Sequence, residues 1–137
     1  MEKIQSLDVS LLIINGTFCY PGDFLNVPIE THRTTFDTNI VPSLVLPRLM
    51  VDKFLMRPSN VKSGLIYVGC SSSYSYPIPG YGLYTASRAY QDFMGTAIGY
   101  ELRHRIDGLS YTCGPVASKP YVSKSTELSS EMRKRIN

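Results

Sequence analysis

Tyr84 and Arg88, in the run YTASRAYQDF, stand four positions apart, the spacing that puts two side chains on one face of a helix. A cation beside a phenol favours the phenolate and lowers the tyrosine pKa from its ordinary value of about 10. A tyrosine so placed serves as general acid toward a carbonyl or as general base toward an alcohol. Ser71 lies 13 residues upstream at the end of an apolar run, where its hydroxyl can bond the same substrate oxygen. Asn39 can hold a water or a backbone carbonyl behind the basic residue. Each of these taken alone is more often an ordinary structural residue. Only the joint arrangement of Asn39, Ser71, Tyr84 and Arg88 is informative.

The elements that must position them follow from hydrophobic patterning. VSLLII (Val9 to Ile14), stopped by NGT, reads as a buried strand, and GLIYVGC (Gly64 to Cys70) as a second. Residues 15–30 hold two prolines and two glycines and read as loop. From Thr31 to Met56 the residues Phe36, Ile40, Leu44, Leu49 and Phe54 recur near helical spacing. Pro42 and Pro47 would each cost an isolated helix about 3 kcal/mol, so a helix kinked or restarted at a proline is expected. Tyr84 to Arg105 reads as a long helix with Ala86, Tyr90, Phe93, Ala97 and Leu102 near one stripe. Asp107-Gly108 reads as a turn, and LSYTC (Leu109 to Cys113) as a third strand. Long crossovers between successive strands imply a parallel α/β sheet. In such sheets ligands bind beyond the carboxyl ends of the strands. The loops NGT, CSSS and CGPVAS therefore converge at one edge.

Composition removes several function classes. The net charge of +3, from 14 basic and 11 acidic residues, is too small to argue nucleic-acid binding. No apolar run reaches the roughly 18 residues of a membrane span, and MEKIQSLDVS lacks the apolar core of a signal peptide. Cys19, Cys70 and Cys113 show no CxxC spacing and imply neither a disulfide framework nor a zinc site, which points to a reducing, intracellular setting. His32 and His104 have no ligand partner at metal spacing and read as surface histidines. Tyr74, Tyr76 and Tyr81 read as loop packing, with a substrate-facing wall as the alternative. Cys70 reads as a buried strand-end residue.

The order LLIING, TNI, GLIYVGCSSS, YTASR, CGPVAS resembles the C-terminal half of the short-chain dehydrogenase/reductases over about Asp8 to Pro120. LVLPRLM and YQDFMGTAIGYELR look most like the branch of 17β-hydroxysteroid dehydrogenases and very-long-chain 3-oxoacyl-CoA reductases. The resemblance implies a partial Rossmann-like, doubly wound parallel α/β sheet lacking the first βαβ units. On that reading residues 1–120 are the C-terminal part of the dehydrogenase domain, and 121–137 are a polar tail with a short helix from near Ser125. It implies NAD(P)H-dependent keto reduction or alcohol oxidation on a hydrophobic acyl-CoA or steroid-like substrate. Tyr84 would be the acid/base and Ser71 its partner in polarising the carbonyl. Arg88 stands where the family has a lysine that contacts the nicotinamide ribose, and Asn39 where an asparagine supports the proton relay. Asn15 and Gly16 would lie beside NADP or NAD, as would Gly114, Val116 and Ser118. The resemblance further implies a homo-oligomer through the helices near residues 31–56 and 84–105. It leaves cytoplasmic and endoplasmic-reticulum-associated locations both open.

The chain departs from this pattern at three places. No TGxxxGxG occurs, and that turn carries the helix N-terminus that binds the pyrophosphate. Arg88 replaces lysine, and a guanidinium stays charged and cannot readily pass a proton. INGT replaces NNAG, and Cys113 stands for a proline. A truncated, catalytically impaired oxidoreductase is the expectation, with an inactive α/β binding or dimerisation module as the alternative.

Overall fold

The computed structural model describes residues 6–71 and 78–114. Val116, Ser118, Tyr74, Tyr76 and the tail helix expected near Ser125 fall outside them. Six elements follow in chain order: β1 (Leu11–Ile14), α1 (Ile29–Asn39), α2 (Val41–Leu55), β2 (Ser63–Cys70), α3 (Gly82–Glu101) and β3 (Ile106–Cys113). The strands form one sheet in the order β1-β2-β3. Both pairings are parallel, with Ile14 opposite Tyr67 and Cys70 opposite Cys113. This is the partial Rossmann-like α/β layer expected.

α2 and α3 pack on one face of the sheet, and α1 packs against those two helices. There Ile14, Leu65, Tyr67 and Ile106 meet Met50 and Phe54 of α2 in a buried core. Leu11 and Ile13 of β1, and Leu109 and Tyr111 of β3, point to the opposite face and are exposed. No described helix covers them, so the second helical layer of a doubly wound sheet is not among the described residues.

The predicted kink is present. α1 gives way to α2 at Ile40, and Pro42 occupies the first turn of α2, where a missing N–H costs nothing. Pro47 lies inside α2 and cannot donate to the Ser43 carbonyl four residues back. The Tyr67 hydroxyl supplies that bond from the sheet, donating to the Ser43 oxygen at 2.6 Å. Tyr67→Phe would leave a buried carbonyl without its donor, at a cost of about 1–3 kcal/mol. A urea titration of the variant checks this.

Burial, and then the neighbouring Tyr90, push the Tyr67 phenol well above its ordinary value. A phenol whose folded pKa is raised contributes stability that is complete below its unfolded pKa and is lost as pH climbs toward the folded one. Unfolding free energy is therefore expected to hold level up to about pH 10 and to fall above it. Urea titrations across that range, with Tyr67→Phe as the control whose fall is shallower, measure it.

Three sequence expectations are corrected. The apolar stripes assigned to the helices hold only in part: Phe54 is buried in the core and Leu102 packs against it, but Phe36, Leu44, Leu49 and Phe93 are exposed. The buried positions are instead Thr35, Asn39, Ser43, Pro47, Met50 and Phe54 on α1 and α2, and Thr85, Ser87, Arg88, Gln91, Asp92 and Gly95 on α3. Buried polar groups need partners, and each of these polar side chains has at least one, although the Arg88 Nε has none among the described residues. Asp107-Gly108 is no turn but part of β3. A Cβ on Gly108 would stand 2.4 Å from the Gly99 Cα of α3, so this glycine lets a helix backbone lie directly on a strand. Finally α3 ends at Glu101, with 102–105 forming the turn into β3.

Candidate active site

Tyr84 and Arg88 lie in the first turns of α3, and the structure brings them together as their spacing predicts. The Arg88 guanidinium sits over the Tyr84 ring, 5.5 Å from its centroid. Tyr84 is half-buried, whereas Arg88 is only 5% exposed. Arg88 Nη1 donates to the Val68 carbonyl of β2 at 2.9 Å and to Gln91 Oε1 at 2.7 Å. Its Nε is buried without a hydrogen-bond partner. The three ion pairs among the described residues leave Arg88 out, so carbonyl dipoles and a ring face offset its buried charge.

Asn39, at the end of α1 and 1% exposed, is joined to the same cluster. Its Oδ1 accepts from the Phe18 N–H at 2.7 Å, and its Nδ2 donates to the Phe18 carbonyl at 2.9 Å. Nδ2 also donates to Ser87 Oγ at 3.0 Å. The Asn39 backbone carbonyl accepts from Gln91 Nε2 at 2.7 Å and from Ser43 Oγ at 2.9 Å. The asparagine thus pins the loop after β1 to α3.

Burial pushes the Tyr84 phenol up from its ordinary value. The hydrogen bond and charge of Arg88 act downward, as expected of a cation, while the Cys70 and Cys19 thiols add a further upward push. Burial prevails, and the phenol is a weaker acid than the Tyr-Arg spacing alone would suggest.

Asn15, Gly16, Ser71 and Gly114 stand at the carboxyl ends of the three strands and are exposed. The Ser71 N–H donates to the Cys113 carbonyl at 3.0 Å, extending the β2–β3 pairing by one bond. The structure thus gathers Tyr84, Arg88 and Asn39 into one buried cluster and sets the other four along the sheet edge.

On the other side of Tyr84 is a cavity of about 280 Å³. It lies between the loop after β1, the start of α1 and the entry to α3. A backbone bond from the Gly22 N–H to the Gly80 carbonyl, 2.9 Å, ties its two loops together. Gly80 takes a left-handed φ of 79°, which a side chain would resist. The lining includes Tyr20, Phe24, Val27, Leu83 and Tyr81 and, among the described residues, contains no Asp, Glu, Lys or Arg. His32, read from the sequence as a surface residue, is half-buried, lines this cavity and meets Phe24 at a tilt of 55°, ring centroids 5.2 Å apart. Tyr81 lines the same cavity and meets Tyr84 edge-on at 6.5 Å.

Sequence reasoning missed Gln91, Ser87 and the Phe18 backbone. The available signal was a glutamine three residues after Arg88, on the stripe that a helix beginning near Tyr84 turns toward its own cation.

A nicotinamide cofactor fits this set only in part. Gly16 and Gly114 have nothing within 4 Å of where a Cβ would stand, which leaves open space at the strand ends. Arg88 does not fit: a cation 5% exposed and bonded to Val68 and Gln91 does not reach a ribose placed there.

No family model matches the chain. It is 26% identical over 102 residues to the inactive hydroxysteroid dehydrogenase-like protein 1 of Rattus norvegicus and to that of Mus musculus, covering 73% of this chain and 30% of theirs. Among solved structures, a 7beta-hydroxysteroid dehydrogenase superposes with a TM-score of 0.79 at 20% identity, over 90% of this chain and 48% of that one. The 3-ketoacyl-(acyl-carrier-protein) reductase from Brucella melitensis, complexed with NADH, superposes at 0.77 with 15% identity, over 83% and 48%. The chain thus spans about 30% of the curated relatives' length and about half that of these structures. The parallel sheet, with Tyr84 at the head of α3, thus has the fold of about half of these solved dehydrogenases and reductases, and in sequence the chain is similar to the hydroxysteroid dehydrogenase-like proteins.

Proposed function

We propose that the chain is the substrate-side half of an NAD(P)-dependent oxidoreductase, impaired in catalysis, that recognises a hydrophobic keto or hydroxy compound. The observation that carries this is Tyr84 at the wall of an uncharged, aromatic-lined cavity of about 280 Å³. Such a cavity suits the apolar body of a ligand whose one oxygen meets a phenol. Tyr84 would donate to that oxygen, and Ser71 at the strand end would be the second polar contact. The hydroxysteroid dehydrogenase and 3-oxoacyl-CoA reductase branch is the part of the family this reading favours, in keeping with the relatives' names. Asn15, Gly16 and Gly114 would border the nicotinamide. Nothing in the site chooses between NAD and NADP.

Binding of a bicyclic aliphatic ketone such as 1-decalone tests this. The chain has ten tyrosines and no tryptophan, so intrinsic tyrosine fluorescence reports directly. Saturable quenching is expected, with Tyr84→Phe weakening binding about tenfold through loss of one hydrogen bond. Thr31→Trp, which fills the cavity, is expected to abolish it. Equal affinity in wild type and Thr31→Trp would refute the assignment.

A second reading has its own observation. Phe36, Leu44, Val45 and Leu49 on α1 and α2, with Phe93 and Tyr100 on α3, are exposed on the outward helix faces. Apolar surface this extensive favours an inactive module that pairs through α1, α2 and α3 with a second copy. No described helix is long and apolar enough to cross a membrane.

A further inference from the structure

We propose that Gln91 is a positioning residue for the Tyr84 site: its side-chain amide draws the Arg88 guanidinium into the protein and occupies the Asn39 carbonyl at the same time. This rests on Tyr84 being the functional phenol.

The geometry makes the glutamine a two-ended clamp. Its Oε1 accepts from Arg88 Nη1 at 2.7 Å, and its Nε2 donates to the Asn39 carbonyl at 2.7 Å. Gln91 is itself 1% exposed, so neither bond competes with water. Besides its contact with Tyr84, an arginine whose Nε has no partner among the described residues is held by what its Nη1 bonds, and Gln91 makes the shorter of those two bonds. An apolar residue at 91 would free both the guanidinium and the carbonyl. The Asn39 carbonyl takes its short bond from Gln91 Nε2 at 2.7 Å, while the one Ser43 hydroxyl proton is shared between it at 2.9 Å and the Ile40 carbonyl at 2.7 Å.

The groups facing Tyr84 are Arg88 on its own helix, Cys70 at the end of β2, Cys19 in the loop after β1, and Tyr81, with His32 on the wall of the shared cavity. Of these only Arg88 is a permanent cation. Its placement by Gln91 therefore sets how far the guanidinium offsets the upward push of burial on the phenol.

The test combines two readouts on the 137-residue chain, neither of which needs turnover or cofactor. In tyrosine Cζ carbon-13 spectra, with Tyr84→Phe identifying the resonance, Gln91→Leu is expected to lower the Tyr84 midpoint by about one pH unit as the released guanidinium closes on the phenol. An unchanged midpoint overturns the proposal. Because Gln91→Leu strands a buried cation and can fail to fold, the pair Arg88→Met with Gln91→Leu is the second arm. Each single variant is expected to lower the urea midpoint by roughly 1 M, and the double variant to recover most of that loss. Additive losses in the double variant overturn the clamp. Failure of ketone binding with these results intact would refute the functional reading alone.

Discussion

Alanine at Gly108 is expected to be the most destabilising single methyl that can be added to this chain, costing about 3 kcal/mol. The added Cβ would stand 2.4 Å from the Gly99 Cα and 3.2 Å from the Gly99 nitrogen. Both are backbone atoms of α3, so no side chain can rotate away. The helix itself would have to lift off β3, and with it the contacts of Ile98 and Met94 against the core. Ser110, whose hydroxyl donates to the buried Asp92 of α3, would lose its partner by the same movement. Gly16→Ala is the control: with nothing within 4 Å, it is expected to shift stability by less than about 0.5 kcal/mol. Urea midpoints of the two variants decide the matter. A Gly108→Ala midpoint equal to wild type would mean that α3 does not cross β3 at this point.

Replacing Asn39 by alanine is the second large effect, expected to cost about 3 kcal/mol. The side chain satisfies both the N–H and the carbonyl of Phe18 and donates to Ser87 Oγ. All three partners lose their bond at once in a position that is 1% exposed. Asn39→Asp separates the contributions. It keeps an acceptor for the Phe18 N–H, but it removes the donor to the Phe18 carbonyl and places a carboxylate against it. It is therefore expected to be no more stable than alanine. A residue that served catalysis alone would leave the unfolding midpoint unchanged in both variants. The midpoint thus shows whether Asn39 holds the loop after β1 to α3.

The order of strands and helices was legible because length and apolar runs report it directly. The kink at Ile40 was legible for a local reason, two prolines in one helix. The contact of Tyr84 with Arg88 followed from their spacing. Helix facing was not legible. The stripe rule assumes apolar residues turn inward, and here Asn39, Ser43, Arg88 and Gln91 turn inward because they bond one another, while Phe36, Leu44 and Phe93 turn out. The bonds that tie the two halves of this set together, Asn39 to Ser87 and to Gln91, span 48 and 52 positions, which no local window contains. Gly108 misled for a similar reason: Asp-Gly is a turn signal locally, but this glycine answers to a helix packed across it. Tyr67 shows the converse, since a hydroxyl on β2 makes Pro47 tolerable in α2.

The central claim is that Arg88 is committed to the protein interior and not to a cofactor at the strand ends. Arginine side-chain nitrogen-15 spectra of the chain, with and without NADH, test it most directly. A guanidinium held by Val68 and Gln91 should give resolved Nη signals and a slowly exchanging Nε–H, unchanged when NADH is added. An averaged, rapidly exchanging Arg88 guanidinium, or one whose signals move with NADH, would contradict it.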